Sequence, residues 1–156
     1  MQGMSLPDDP GAFVAAAERG VNEGDLEATI GVYAPTARLE SLTDGAWERY
    51  EGIEDIKRAW KGYLAAMKAR GFWLDKNLTS ASGDTIVNQW TGGLGRRTDA
   101  HGIEYWRFDD EARVREHRMY SFLNVKPSRS PLQRLRLALT YPRTALVFLR
   151  EQRKAR

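Results

Sequence analysis

The N-terminal part of the chain carries apolar residues at the three- and four-residue spacing of amphipathic helices. A first helix is predicted to begin after Pro10. A second helix, capped by Asp25, ends before Pro35, and a third runs from Gly52 to Gly71. The apolar stripes of the three helices are formed by Phe13, Ala16, Ala17, Gly20 and Val21, by Leu26, Ile30 and Tyr33, and by Ile53, Ile56, Trp60, Tyr63, Leu64 and Met67.

After Gly71 the pattern changes to the two-residue alternation of β-strands. The four long predicted strands are Phe72–Ser80, Thr85–Leu94, Thr98–Phe108 and Arg113–Val125, and a short strand, Ala37–Leu42, precedes the third helix. Helices followed by a meander of strands indicate an α+β fold, with three N-terminal helices packed on one face of an antiparallel sheet. We expect this domain to span residues 1–125.

Residues 126–156 differ from the rest of the chain in charge. They hold nine Lys or Arg residues and one acid, a net charge of +8, whereas residues 1–125 carry a net charge of −5. Pro127 and Pro131 mark a linker, and Thr144–Lys154 is predicted to form a helix. We expect this basic amphipathic helical tail to dock on the domain or on a dimer mate, with contact to an anionic membrane surface as the alternative. Nucleic-acid binding is disfavoured because the domain is acidic and the tail lacks interleaved aromatic residues.

The composition excludes several kinds of chemistry. The chain has no cysteine, so disulfides and thiolate catalysis are excluded. The two histidines, His101 and His117, lack metal-binding spacings such as H-x-x-x-H, and we expect neither a metal nor another cofactor. We see no signal peptide, which would have basic residues followed by an apolar run, and no apolar stretch of about 18 residues that could span a membrane. We therefore expect a cytoplasmic protein.

Two titratable residues occupy unusual positions in the last predicted strand pair. Alternation places Glu104 on one face of its strand with Trp106 and Phe108. The hairpin brings His117, on the next strand, roughly opposite Glu104. An apolar setting disfavours the charged form of a carboxyl group, which suits a general acid or base near neutral pH. The alternative is structural: Glu104 pairs with an arginine, Arg115 or Arg118, and His117 fills polar space.

Three stretches resemble motifs of one superfamily. They are VNEGDLEATIGVYAPTARLE (Val21–Glu40), YEGIEDIKRAW (Tyr50–Trp60) and GIEYWRFDDEARVREHRMY (Gly102–Tyr120). Their order and spacing are similar to those of the nuclear transport factor 2-like superfamily, which includes SnoaL-like polyketide cyclases and ketosteroid isomerases. The resemblance implies a cone-shaped curved sheet around helices, an apolar pocket, and a homodimer formed through the outer sheet face.

The resemblance carries over residue by residue only in part. At the positions of the ketosteroid isomerase base and oxyanion tyrosine this chain has Ser41 and Ala17, which argues against that activity. Tyr33 matches a supporting tyrosine, and Trp60 replaces another. The SnoaL-like cyclases fit better, because their acid/base aspartate falls at Glu104. Many of them also carry a Glu-His pair, matched here by Glu116-His117.

These observations predict a pocket for a small hydrophobic molecule. The predicted activity is cofactor-independent acid/base chemistry on a carbonyl compound, as in an isomerase, cyclase or dehydratase. Glu104 would move the proton, while His117 would orient Glu104 or polarise the carbonyl group of the ligand. The predicted ligand-binding residues are Tyr33, Ser41, Trp60, Trp90, Trp106 and Met119. The alternative is a non-catalytic module that binds an apolar ligand or a partner protein.

Overall fold

The computed structural model of the chain describes residues 6–123 and 131–154. The helices are α1 (Pro10–Glu23), α2 (Leu26–Ile30), α3 (Ile53–Arg70), α4 (Pro131–Thr140) and α5 (Pro142–Lys154). The strands are β1 (Tyr33–Thr43), β2 (Ala46–Glu51), β3 (Phe72–Ser82), β4 (Thr85–Leu94), β5 (Ala100–Phe108) and β6 (Val114–Phe122). The chain divides into two compact units, Met1–Lys126 and Pro127–Arg156. None of the described helices is long and apolar enough to cross a lipid bilayer.

The first unit is a six-stranded curved sheet with three helices on its inner face. The strand order is β2-β1-β6-β5-β4-β3, and all neighbours are antiparallel except the parallel pair β1 and β6. The predicted α+β class is therefore confirmed, with a mixed rather than a purely antiparallel sheet. The core lies between the sheet and the helices, and Phe13 of α1 packs edge-on against Trp106 and Phe108.

Local sequence signals set the ends of the N-terminal helices. The Asp9 and Asp25 carboxylates accept hydrogen bonds from the first-turn N–H groups of α1 and α2, each at 2.9 Å. Gly24 and Gly71 end α1 and α3 in the left-handed conformation, with φ of 71° and 62°. These caps set where each helix begins or ends.

The second helix is shorter than predicted, and the first strand begins earlier. α2 ends at Ile30, and Tyr33, predicted to lie on its stripe, is the first residue of β1. The reason is a tertiary contact: Tyr33 pairs with Val114 in β6, whose N–H donates to the Val32 carbonyl at 2.8 Å. Pro35 lies where the β1–β6 register shifts, a position at which the missing N–H of proline is tolerated.

Between the first predicted strand and the third helix, where the sequence pattern predicts no element, the structure has a second strand. β2 pairs with β1 through a two-residue turn at Asp44 and Gly45, which have φ of 48° and 92°. Positive φ at both central residues is the geometry that an Asp-Gly hairpin favours. The Asp44-Gly45 dipeptide is therefore a hairpin signal in the sequence, which the helix pattern next to it obscured.

Candidate active site

Four polar side chains lie on the inner face of the sheet, where the core is otherwise apolar. Lys76, Asn88, Glu104 and His117 occupy neighbouring strands from β3 to β6, and all four are buried. Alternation along each strand directs them inward together with their apolar neighbours. Buried polar groups are costly unless they are paired, so the contacts within this cluster decide what it can do.

Glu104 is held by two donors from adjacent strands. Lys76 Nζ lies 2.6 Å and Asn88 Nδ2 lies 3.1 Å from Glu104 Oε2. The indole N–H of Trp106 donates to Asn88 Oδ1 at 2.7 Å, which fixes the orientation of the amide. Among the described residues, the hydrogen bonds to the Glu104 carboxylate all end at Oε2, which leaves Oε1 for a ligand.

His117 belongs to a second hydrogen-bonded chain that crosses the core. Trp60 Nε1 donates to Tyr33 Oη at 3.0 Å, and Tyr33 Oη lies 2.6 Å from His117 Nδ1. Burial is the main cause that raises the pKa of Tyr33, so this hydroxyl keeps its proton. Since Tyr33 accepts from Trp60, its own proton is directed to His117 Nδ1.

The direction of this hydrogen bond fixes the tautomer of the His117 imidazole. Burial, and secondly the charge of Lys76, hold the pKa of His117 well below its usual range, so the ring is neutral. A neutral ring that accepts at Nδ1 carries its proton on Nε2. His117 Nε2 lies 4.0 Å from Glu104 Oε2 and has no hydrogen-bond partner among the described residues. The ring stacks on Trp106, with the two ring centroids 3.4 Å apart.

The strand register explains this proximity. His117 pairs with Trp106, and Glu104 pairs with Met119, so Glu104 and His117 are diagonal neighbours on one face. Both side chains face inward, as the alternation predicts.

A cavity of about 300 Å³ opens beside Glu104. Of the residues predicted to bind the ligand, Ser41, Trp60, Trp90 and Met119 line it. Its walls also include Met67, Phe72 and Leu74, so most of its surface is apolar. A space of this size and character is typical of a site for a small hydrophobic molecule.

Three other predicted site residues lie behind the cavity wall. Tyr33 and His117 are buried in the hydrogen-bonded chain described above, and neither lines the cavity. Trp106 faces a smaller space of about 60 Å³ that it shares with Lys76. These residues can act on a ligand only through the groups that reach the cavity, chiefly Glu104.

Trp90 has an unusual environment. Its ring forms part of the cavity wall, but its buried indole N–H has no partner among the described residues. The ring lies over Gly102, where an added Cβ would come within 2.6 Å of Trp90 Nε1. A side chain at position 102 would therefore displace this indole from the wall.

The arginines considered as partners of Glu104 lie elsewhere. The register shifts between Arg107 and Phe108, so Arg115 turns away from the face of His117 and its guanidinium bonds Asp84 at 2.7 Å. Arg118 lies 3.0 Å from Glu40 on the outer face. The interpretation of Glu104 as the partner of Arg115 or Arg118 is wrong, because Lys76 holds that position.

Sequence reasoning missed Lys76 and Asn88. A signal for both was present: each lies two residues from an apolar inward residue of its strand, Leu74 for Lys76 and Ile86 for Asn88. No three His, Asp or Glu side chains in the described parts of the chain converge as metal ligands. The hydroxyl and carboxyl side chains that line the cavity, and so can meet a ligand, are those of Ser41, Thr43, Glu48, Tyr63, Glu104 and Ser121.

Comparison with known proteins agrees with this architecture. The SnoaL-like domain matches residues 13–117. No curated protein matches the sequence. A SnoaL-like protein of unknown function from Burkholderia thailandensis is similar in structure, with a TM-score of 0.62 and 18% identity, over 75% of this chain and 98% of that one.

Two further solved structures share the fold. A proposed ketosteroid isomerase from Kribbella flavida has a TM-score of 0.59 and 18% identity, over 78% of this chain and 83% of that one. A proposed polyketide cyclase from Sinorhizobium meliloti has a TM-score of 0.54 and 23% identity, over 76% and 99% of the two chains. At these identities the likeness establishes the fold alone. The resemblance found in the sequence is confirmed, since the family match covers most of the chain: the protein belongs to the SnoaL-like domain family.

Proposed function

We propose that the protein catalyses proton transfer on a small hydrophobic carbonyl compound without a cofactor, with Glu104 as the acid/base group. The SnoaL-like fold includes isomerases and cyclases among its members, which places this chemistry within the range of the family. The observation that carries the proposal is a buried carboxylate on the wall of an apolar cavity, with one oxygen held and the other without a hydrogen-bond donor in the part of the chain that the structure describes.

The arrangement around Glu104 supports this role. Lys76 and Asn88 fix Oε2, so the carboxylate keeps one orientation as a substrate enters. Oε1 would take a proton from the carbon next to the carbonyl group and return it to another atom of the same substrate. The apolar walls exclude water, which strengthens the electrostatic interactions within the site.

His117 acts in this proposal as a positioning residue. It does not line the cavity, but its Nε2–H faces Glu104 Oε2 at 4.0 Å. Tyr33 and Trp60 fix the tautomer that presents this N–H. The hydrogen-bonded chain therefore adds a fixed dipole beside the carboxylate without adding a charge.

Hydroxyl groups on the cavity wall indicate what else the substrate carries. Ser41, Thr43 and Ser121 line the cavity, and a ligand oxygen that accepts from one of their hydroxyls would bind favourably. A carbonyl oxygen is an acceptor of this kind. Together the two features favour a compact apolar ketone or ester over a charged metabolite.

A second candidate function is non-catalytic binding of an apolar ligand. The observation that favours it is the Lys76–Glu104 ion pair itself, which is complete without a ligand. In that case the cavity would bind hydrophobic molecules, and Glu104 would only hold the sheet together. The two functions differ in whether bound molecules exchange protons.

The test is proton exchange in D₂O. Hydrophobic ketones are incubated with the protein, and the loss of their α-proton signals is followed by NMR. We expect the wild-type protein to accelerate exchange of at least one ketone, and Glu104→Gln to lower that rate by about 100-fold or more. Glu40→Gln, the same change on the outer face, should leave the rate unchanged.

The folded state of the variant is controlled separately. Glu104→Gln leaves Lys76 buried without its counter-ion, so the double variant Lys76→Met, Glu104→Gln is measured as well, and it should also be inactive. If no ketone exchanges faster with wild-type protein, but ketones still quench the fluorescence of Trp60 and Trp90, the protein is a binder and the catalytic proposal fails.

A further inference from the structure

The exposed apolar surface of the chain is concentrated in its second unit. Of the thirteen large hydrophobic residues that are exposed in the described parts of the chain, eight lie in α4, in α5 and at Tyr141 between them. Two short helices that expose this much apolar surface indicate a binding surface, because such patches are rare on soluble proteins.

Four of the five apolar residues in the run 145–149 of α5 form one face of the helix, and Val147 lies on the opposite side. Ala145, Leu146, Phe148 and Leu149 lie within one side of the helical wheel, and Leu146, Phe148 and Leu149 are each more than half exposed. Leu135 and Leu139 form a similar exposed row on α4, four residues apart.

Basic residues border this apolar face. Arg143, Arg150 and Lys154 lie together on the adjacent side of α5. The sole acid of residues 126–156, Glu151, is paired with Lys154 at 2.7 Å, so no free carboxylate opposes the other basic groups. Long basic side chains beside an apolar face can extend to a polar surface while the face itself stays buried.

We propose that α4 and α5 bind the surface of an anionic lipid bilayer, with the apolar face inserted at the headgroup boundary and the basic residues over the lipid phosphates. The two helices hold six Lys or Arg residues and one acid, a net charge of +5, and a bilayer of this kind uses both this charge and their apolar face. A nucleic acid would use only the charge. Docking on the acidic domain would gain little from the charge, because exposed ion pairs contribute little.

The inference is independent of the catalytic proposal. It concerns α4 and α5 alone and would hold for a binder as well as for an enzyme.

The experiment is co-sedimentation of the full-length chain with vesicles. One set contains phosphatidylcholine with about one third phosphatidylglycerol, and the other contains phosphatidylcholine alone. We expect binding to the anionic vesicles that is at least tenfold tighter than to the neutral ones and that weakens as salt is raised.

Three full-length variants separate the contributions. Leu146→Ser, Phe148→Ser, Leu149→Ser removes the apolar face and should abolish binding to the anionic vesicles. Arg143→Ser, Arg150→Ser, Lys154→Ser should weaken it by about fivefold for each basic residue removed. Lys61→Ser, Lys68→Ser, Arg70→Ser removes the same charge from exposed positions of α3 and should bind like wild type.

The proposal is overturned by any of three results. These are equal affinity for both kinds of vesicle, no loss of affinity in either α5 variant, or an equal loss in the α3 control. If the apolar variant converts a dimer to a monomer in light scattering while wild-type protein ignores vesicles, the face is an interface between copies of the chain instead.

Discussion

Two ion pairs on opposite faces of the same sheet have similar chemistry and different surroundings. Lys76–Glu104, on the inner face, joins Nζ and Oε2 at 2.6 Å with side chains 1% and 4% exposed. Arg118–Glu40, on the outer face, joins Nε and Oε2 at 3.0 Å with side chains 33% and 14% exposed. The outer pair is what a solvated strand surface ordinarily carries, whereas the inner pair removes two charges from water at a cost of several kcal/mol each.

This difference identifies the inner pair as the feature that needs an explanation. Replacing a buried ion pair by apolar side chains of similar volume often leaves a core equally stable or makes it more stable. The buried pair is therefore poorly explained by stability and better explained by a role for the Glu104 carboxylate at the cavity. The predictions below test whether the two pairs differ as strongly as their burial implies.

The largest effect is expected from breaking the inner pair at one end. Lys76→Met leaves the Glu104 carboxylate buried without a counter-ion and should lower the free energy of unfolding by about 3–5 kcal/mol. The double variant Lys76→Met, Glu104→Gln should recover most of this loss, because no unpaired charge remains. Urea unfolding followed by tryptophan fluorescence measures both.

The matched control is Lys61→Met on the exposed side of α3, which should change stability by less than about 0.5 kcal/mol. A loss below about 1 kcal/mol for Lys76→Met, or no recovery in the double variant, would show that water reaches the pair and that the comparison with the outer face fails.

An intermediate effect is expected from pH, through the neutral histidine beside the inner pair. The pKa of His117 is well below its unfolded value of about 6.5, so below that pH the unfolded chain binds a proton that the folded chain does not. The contribution of His117 to the free energy of unfolding is thus complete above about pH 6.5 and is lost as the pH falls. The free energy of unfolding then decreases by up to about 1.4 kcal/mol per pH unit.

The variant His117→Phe isolates this contribution. The other carboxylates and histidine are common to both chains, so the difference in their stability curves between pH 7 and pH 5 reports position 117. We expect wild-type protein to lose stability more steeply than the variant over this range. Parallel curves would mean that His117 takes up a proton in the folded state and is not the neutral Nε2–H donor inferred here.

The sequence predicted those parts of the site that depend on local alternation. The inward directions of Glu104 and His117 follow from the two-residue period of β5 and β6, and their proximity follows from the tight turn between the strands. Trp60 and Trp90 are found on the cavity wall for related reasons: Trp60 lies on the apolar stripe of α3, and Trp90 lies on the inward-facing positions of β4.

The parts that escaped prediction depend on contacts between distant segments. Lys76 lies between Asp75 and Asn77, a polar run that conceals its inward position, and its partner Glu104 is 28 residues away. The start of β1 at Tyr33 depends on parallel pairing with β6, which no local pattern encodes. Arg115 was considered as a partner of Glu104, but a register shift after Arg107 breaks the alternation that would bring it to the inner face.

The smallest effect is expected at the outer pair. Glu40→Gln removes the carboxylate that faces Arg118, and it should lower the free energy of unfolding by less than about 1 kcal/mol. Three facts keep the effect small: Arg118 is one third exposed, its Nε is not aligned as a hydrogen-bond donor, and Glu116 remains within 2.9 Å of it. Urea unfolding at low salt and at 1 M NaCl provides the measurement, because screening should erase the difference between variant and wild type. A loss as large as that of Lys76→Met, or one that persists in high salt, would mean that burial does not separate the two faces and that the Lys76–Glu104 pair marks no special site.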